Sequence, residues 1–439
     1  MSVVANPLSA RSRRLSRAYL ASFVSKGATA GMAFVALPLV VENLSVADFA
    51  NYALVANAII WSNLANPAFG PTTGVKISGL EARGDRQGAI AAARSTLTLS
   101  TCVGFVIVSI ALVAVGRLGS LHRLELAGVG LVFALSCVGP VADSVRLGFL
   151  RHDRTSLWAS GGVACAVAAV VSLHLVGSES MVHYALAVFG VAQATKVASF
   201  VDLSPGVKAR SVIFGTHSRP VLREIAFGNA SHMISQLVSF LGFPFAILLF
   251  AGSGQSRIAG VLFILQSLSL VISGLVQAVL PPLSAEVRGA IESGDMRWVK
   301  SVVVRLAGAS LVLGLVGAGV SLLLAGPVFE ALYGEVSPEP WHLALVLALI
   351  GPGSAAAVLY YTLVGAEFVR EATWPHVPAG LIRIGGLLAA LRFESLGLAL
   401  LAILAFPELV RLPLYVKSMK GVLARGQVAA EPANLEEVS

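Results

Sequence analysis

Apolar runs of roughly 20 residues alternate with short polar joints along nearly the whole chain. A hydrocarbon core about 30 Å thick takes about 20 helical residues to cross, so this spacing predicts bilayer-spanning helices. Twelve spans are expected: 18–41, 47–69, 90–115, 125–149, 156–177, 181–203, 223–250, 257–281, 298–325, 341–365, 373–391 and 395–417. The joints are too short to hold a further folded domain. The expected fold class is therefore an all-α polytopic membrane protein.

The cationic residues give these spans a direction. Of 31 Lys and Arg, 26 fall in every second joint or on the adjoining helix ends. Arg117, Arg123, Arg257 and Arg392 occupy the alternate joints, and Arg383 lies within span 11. Cytoplasmic loops retain positive charge during insertion, so both termini are expected in the cytoplasm. Adding or removing one helix would place the later basic clusters on the wrong side. The chain is 56% hydrophobic and only 12% charged, which sets it apart from ordinary soluble chains. Its net charge of +8 is spread over loops beside apolar spans, which fits topology better than nucleic-acid binding. The arginines Arg11, Arg13, Arg14 and Arg17 precede a run longer than a secretory signal core and without a small-residue cleavage site. An uncleaved first helix is expected. Cys102, Cys137 and Cys165 lie far apart inside predicted helices, with neither disulfide nor metal spacing, and read as small packing residues.

The two halves resemble one another. At an offset of 206, Pro38 in span 1 meets Pro244 in span 7, Ser25 meets Ser231 and Phe34 meets Phe240. At an offset of 210, Pro71 meets Pro281, and Gly84-Asp85 meets Gly294-Asp295. Six spans separate the copies, so both have the same orientation. The expected architecture is two six-helix lobes related by a pseudo-two-fold along the membrane normal. Residues 1–203 form the first lobe, 204–222 an inner linker, 223–417 the second lobe and 418–439 a cytoplasmic tail. Two facing bundles leave a central cleft suited to alternating access. Pro38 and Pro244 each remove a backbone donor and crowd the preceding turn, so they mark either tolerated kinks or a pair of hinges.

Polar residues inside the spans carry the candidate chemistry. A charge at mid-helix costs about 2.5–3.5 kcal/mol on insertion scales, so Lys26, about eight residues into span 1, either faces a wet cavity or snorkels inward. Asn229, His232, Ser235, Gln236 and Ser239 recur at spacings of three and four on one face of span 7. That face either lines a wet wall or bonds neighbouring helices. Gln266 with its neighbouring serines in span 8, and Asn57, Asn63 and Asn66 in span 2, extend the polar set. Arg383 keeps its charge at physiological pH, so it needs an anion, water or a carboxylate such as Glu408. Asp143 and Arg146, three apart, are expected to pair. No phosphate-binding loop, zinc-protease helix, nucleophile elbow or paired catalytic carboxylates are present. Neither an enzyme nor a bound cofactor or metal is expected.

Three segments carry a family resemblance: KGATAGMAFVALPLVVENLSVADFANYAL (26–54), GPTTGVKISGLEARGDRQGAIAAA (70–93) and LVQAVLPPLSAEVRGAIESGDMRWVKSV (275–302). With VFEALYGEVSPEPWHLALVLAL (328–349), they resemble the polysaccharide-transporter branch of the multidrug/oligosaccharidyl-lipid/polysaccharide exporter superfamily. The resemblance implies an inner-membrane flippase for undecaprenyl-diphosphate-linked oligosaccharides, with membrane lipids around it and glycan polymerases or glycosyltransferases as partners. It also implies cationic cavity residues, Lys26 being the matching position. The arginines that lipid II flippases of this group carry in span 2 have no counterpart in 47–69, which favours another glycan. Two other readings stand beside it: a cation-coupled multidrug exporter of the same superfamily, which would use acids such as Asp143, Asp202 or Glu408, and a membrane-embedded glycan polymerase or ligase.

Overall fold

A computed structural model describes residues 27–64 (except Thr29), 71–118, 123–149, 151–215, 219–226, 241–277, 295–366 and 368–430, with Val238, Leu280, Leu283 and Val287 as isolated positions. Every regular element among them is helical. A π-helical turn at Met32–Ala36 leads into α1 (Leu37–Asn43), followed by α2 (Val46–Leu64), α3 (Pro71–Ala82), α4 (Arg86–Leu118), α5 (Arg123–Gly148) and α6 (His152–Leu175). Next come α7 (Met181–Ala185), a second π turn (Leu186–Gly190), α8 (Val191–Ala198), α9 (Ala209–Ile213), α10 (Phe243–Gly252) and α11 (Ser256–Gln277). The chain closes with α12 (Met296–Tyr333), α13 (Pro340–Gly365), α14 (Val369–Thr373), α15 (His376–Arg392), α16 (Leu396–Leu400), a third π turn (Leu401–Ala405) and α17 (Phe406–Ala430).

Eight stretches among the described residues are long and apolar enough to cross a membrane, and they fall on expected spans 3, 4, 5, 6, 8, 9, 10 and 12. Shorter apolar helices at Phe34–Asn43, Val46–Ile60 and Phe243–Gly252 fall on spans 1, 2 and 7. The surface explains why these helices need lipid. In α12, Val312, Leu313, Leu323 and Leu324 are exposed, Leu323 at 81%, and Phe105 of α4 is 75% exposed. Such a continuous apolar exterior is stable only against acyl chains. The chain is a multi-pass membrane protein.

Three expected joints differ from the reading of the sequence. Residues 71–82, expected in the joint between spans 2 and 3, form helix α3. Helix α12 runs on through Pro327 to Tyr333, beyond the expected end at 325. Helix α17 continues to Ala430, well into the expected tail.

The chain packs as two compact units, Met1–Val271 with Pro327–Pro338, and Ile272–Gly326 with Glu339–Ser439. The boundary expected at 203–223 lies inside the first unit. In that unit α4 packs on α5, α6 on α8, and α2 on α5 and α10. Ile77, Val141, Val145, Phe200, Leu203 and Ile225 belong to one core cluster within it. Segment 204–213 is tied to α4, because Arg86 donates to the Pro205 carbonyl and Arg94 Nη2 donates to the Ser211 carbonyl at 2.6 Å. In the second unit α17 packs on both α13 and α15. Val299, Val303, Leu359, Leu363, Tyr415 and Met419 form its core.

Candidate functional site

The charged groups inside the helices fall into two sets, one in each unit. In the first unit Arg146 of α5 is fully buried. Its Nη2 meets Asp143 Oδ1 at 2.5 Å, its Nη1 donates to the Ser199 carbonyl at 3.0 Å, and Lys196 Nζ approaches Asp143 Oδ2 at 3.8 Å. Both oxygens of Asp143 therefore have a cation, and the expected Asp143–Arg146 pair is present. Asp202 is engaged by Trp158 Nε1 at 3.2 Å and Arg154 Nη1 at 3.6 Å.

The second unit holds Arg383 on α15 and Glu408 and Arg411 on α17. Arg383 is 8% exposed, and its Nη2 donates to the Ile403 carbonyl at 3.0 Å. Ile403 lies in the third π turn, where the backbone is wound one residue wider than in an α-helix. Glu408, one of the expected partners for Arg383, forms an ion pair through Oε1 with Arg411, one turn further along its own helix. The i,i+3 spacing brings these two groups together at little conformational cost. Glu408 is 5% exposed, and its Oε2 has no hydrogen-bond partner among the described residues. Arg411 lies within electrostatic range of Arg383. One turn further along α17, the Tyr415 hydroxyl donates to the Ala372 carbonyl at 3.1 Å and lies 3.0 Å from His376 Nε2.

The remaining candidate residues divide as follows. Lys26, Asn229, His232 and Gln236 lie outside the described residues. Asn63 is in the last turn of α2, and its side chain is not described. Gln266 is buried on α11, with Oε1 lacking a partner among the described residues. Asn57 shares that condition at Oδ1, while its Nδ2 donates to the Ala53 carbonyl at 2.8 Å. Phe263 packs edge-on against Phe49 and Tyr52, which sets α11 beside α2 just before these two amides. Pro38 stands in the first turn of α1, directly after the π turn at Met32–Ala36. Pro244 opens α10 after Gly242, whose backbone (φ −83°, ψ −129°) leaves helical geometry. Arg411 and the full burial of Arg146 went unrecognised in the sequence, although the acid-to-cation spacing of three is visible in both pairs.

No protein-family profile matches the chain, and neither does any curated protein sequence. Solved structures do resemble it. One is the inward-facing conformation of a multidrug resistance MATE family transporter of the MOP superfamily, with TM-score 0.69 and 15% identity over 93% of this chain and 100% of that one. The outward-facing conformation of a transporter so described gives 0.66 at 15% identity, over 94% and 96%. A third is a MOP superfamily transporter from Pyrococcus furiosus, reported with a reversed polarity of its binding pocket, at 0.61 and 15% identity over 94% and 96%. The chain has a fold like that of these MATE transporters.

Proposed function

We propose that this protein is an alternating-access transporter that flips undecaprenyl-diphosphate-linked oligosaccharides across the cytoplasmic membrane. The observation that carries this reading is the sign of the buried charge. The helices of the second unit carry two guanidinium groups within electrostatic range of one another, Arg383 buried and Arg411 partly so, and Glu408 holds Arg411. A diphosphate cannot cross hydrocarbon without compensating charge, and guanidinium groups match phosphate oxygens in pairs. Lys26 adds a further cation in the first span. Buried amides such as Gln266 and Asn57 have acceptor capacity to exchange for sugar hydroxyls.

Features shared by the two halves support the two-lobe architecture. Spans 6 and 12 each run as five α-helical residues, five π-helical residues and then a longer stretch of α-helix, at an offset of 215 (Met181 onto Leu396). Gly139-Pro140 in α5 and Gly351-Pro352 in α13 correspond at an offset of 212. With 206 and 210 for spans 1 and 2, the offset drifts in small steps, as joints of unequal length require. In this reading both termini are cytoplasmic, 204–222 is the stretch of chain between spans 6 and 7, and Pro38 and Pro244 lie at the flexing points of the first helix in each half.

A second reading, a cation-coupled multidrug exporter, draws on the MATE transporters of similar fold. It requires acids available to a cationic drug, a proton or sodium. Asp143, Asp202 and Glu408 are each paired with a resident cation, which favours the anionic cargo. The test is surface glycan in cells whose own flippase is deleted. Lys26→Ala and Arg383→Ala should each lower surface glycan about tenfold, equivalent to about 1.4 kcal/mol, at unchanged membrane abundance. Wild-type glycan display by both variants, or drug resistance without glycan display, overturns the reading.

A further inference from the structure

The two charged sets occupy corresponding places but are closed differently. At the offset of 215 that superposes the π turns, Gln193 meets Glu408 and Lys196 meets Arg411. Each pair follows its π turn at the same distance, and each packs on the Gly-Pro helix of its own unit. A Cβ on Gly139 would stand 3.0 Å from Gln193 Oε1, and a Cβ on Gly353 would stand 3.8 Å from Glu408 Oε1. In the first unit the acid is Asp143 on α5, and both of its oxygens are engaged by cations. In the second unit the position matching Asp143 at an offset of 212 is Ala355, so α13 brings no charge. The acid has moved onto span 12 as Glu408, where one oxygen holds Arg411 and the other is buried without a hydrogen-bond partner among the described residues. A half-engaged buried carboxylate is a poor structural element, because the desolvation of its second oxygen is uncompensated. It is a good placeholder for an oxyanion that binds better.

We propose that Arg383, Glu408 and Arg411 form a counter-ion exchange site for a phosphate or diphosphate group, with Glu408 holding Arg411 in the empty state and yielding it to the cargo. This deepens the transport reading above and rests on it for the cargo's lipid tail. A diphosphate offers more oxygens than a carboxylate and can engage two guanidinium groups at once, so it wins the competition for Arg411. When the cargo leaves, Glu408 recaptures Arg411, and the cation is never left bare in hydrocarbon. The N-terminal set, with its acid fully engaged, has no such exchange available and acts as a brace.

The distinguishing consequence is a gain of binding on removing a charge. Purified full-length protein in nanodiscs is titrated with farnesyl diphosphate and, separately, with inorganic diphosphate. Glu408→Gln removes the competitor and should bind farnesyl diphosphate about tenfold more tightly, whereas Arg383→Ala and Arg411→Ala should bind it about tenfold more weakly. The double variant Glu408→Ala/Arg411→Ala removes both members of the pair, leaves no bare charge and should also bind about tenfold more weakly, which guards against misfolding of a single variant. Unchanged or weaker binding by a monodisperse Glu408→Gln protein overturns the exchange role. Wild-type affinity in the arginine variants or the double variant overturns the site. Tighter binding of farnesyl diphosphate than of inorganic diphosphate supports a lipid cargo. Equal affinities, with the predicted ranking of variants intact, keep the site but assign it to a soluble phosphorylated compound and overturn the lipid-linked reading.

Discussion

Arg146 and Arg383 show how one residue type is made tolerable inside an apolar fold by different means. Arg146 is sealed by a carboxylate, a backbone carbonyl and the hydroxyl of Thr155, so its charge is neutralised locally. Its replacement by Met should lower stability by about 3–5 kcal/mol, because Asp143 and the Ser199 carbonyl lose their main donor in a buried place. Thermal unfolding in detergent measures this, and a wild-type midpoint would show that Lys196 alone suffices. Arg383 is anchored through the widened backbone at Ile403, which helps to fix its position. Its presence in mid-span was legible from sequence as a functional candidate, because a charge there needs a reason. The Glu408–Arg411 pair was not, because Glu408 is equally available in sequence to Arg383 and to Arg411.

At the level of helices, small residues set how closely the elements approach. A Cβ on Gly314 of α12 would meet the Gly351 Cα and the Leu347 carbonyl at 3.0 Å, and one on Gly351 would meet the Ser310 carbonyl at 3.1 Å. Membrane helices lack a hydrophobic drive to associate, so such backbone contact supplies much of their packing. Gly351→Val should therefore separate α12 from α13 and destabilise the protein by about 1–3 kcal/mol. A drop in the melting temperature of purified protein, absent in a Gly319→Val control whose Cβ meets open space, checks it. The spans themselves were readable from hydropathy, and eight of the expected twelve coincide with long apolar helices. The π turns were not readable. Each depends on a local choice of hydrogen-bond partner that the surrounding packing decides; Leu186–Gly190 (LAVFG) and Leu401–Ala405 (LAILA) are alike, but short apolar runs of this kind recur throughout the spans. Their shared position became visible only in three dimensions.

For the whole molecule, fold class and function were legible to different depths. Apolar spacing and basic joints were enough to predict an all-helical, multi-pass chain, because insertion reads those features one segment at a time. The MATE-like architecture follows from how the helices pack, and similarity of 15% in sequence carries it in the solved structures. On the reading proposed above, the cargo is set by a few charges within the helices. Two of them, Glu408 and Arg411, act through each other, and their pairing is what marks this MATE-like fold as a candidate carrier of phosphate. The most direct measurement of this claim uses proteoliposomes that contain the purified protein and a fluorescent undecaprenyl-diphosphate-linked oligosaccharide, with leaflet position read by an impermeant quencher. Wild-type protein should equilibrate the lipid between leaflets, and Arg383→Ala should slow that movement about tenfold. Retention of the lipid in its starting leaflet by wild-type vesicles that nonetheless expel a cationic dye would contradict the account.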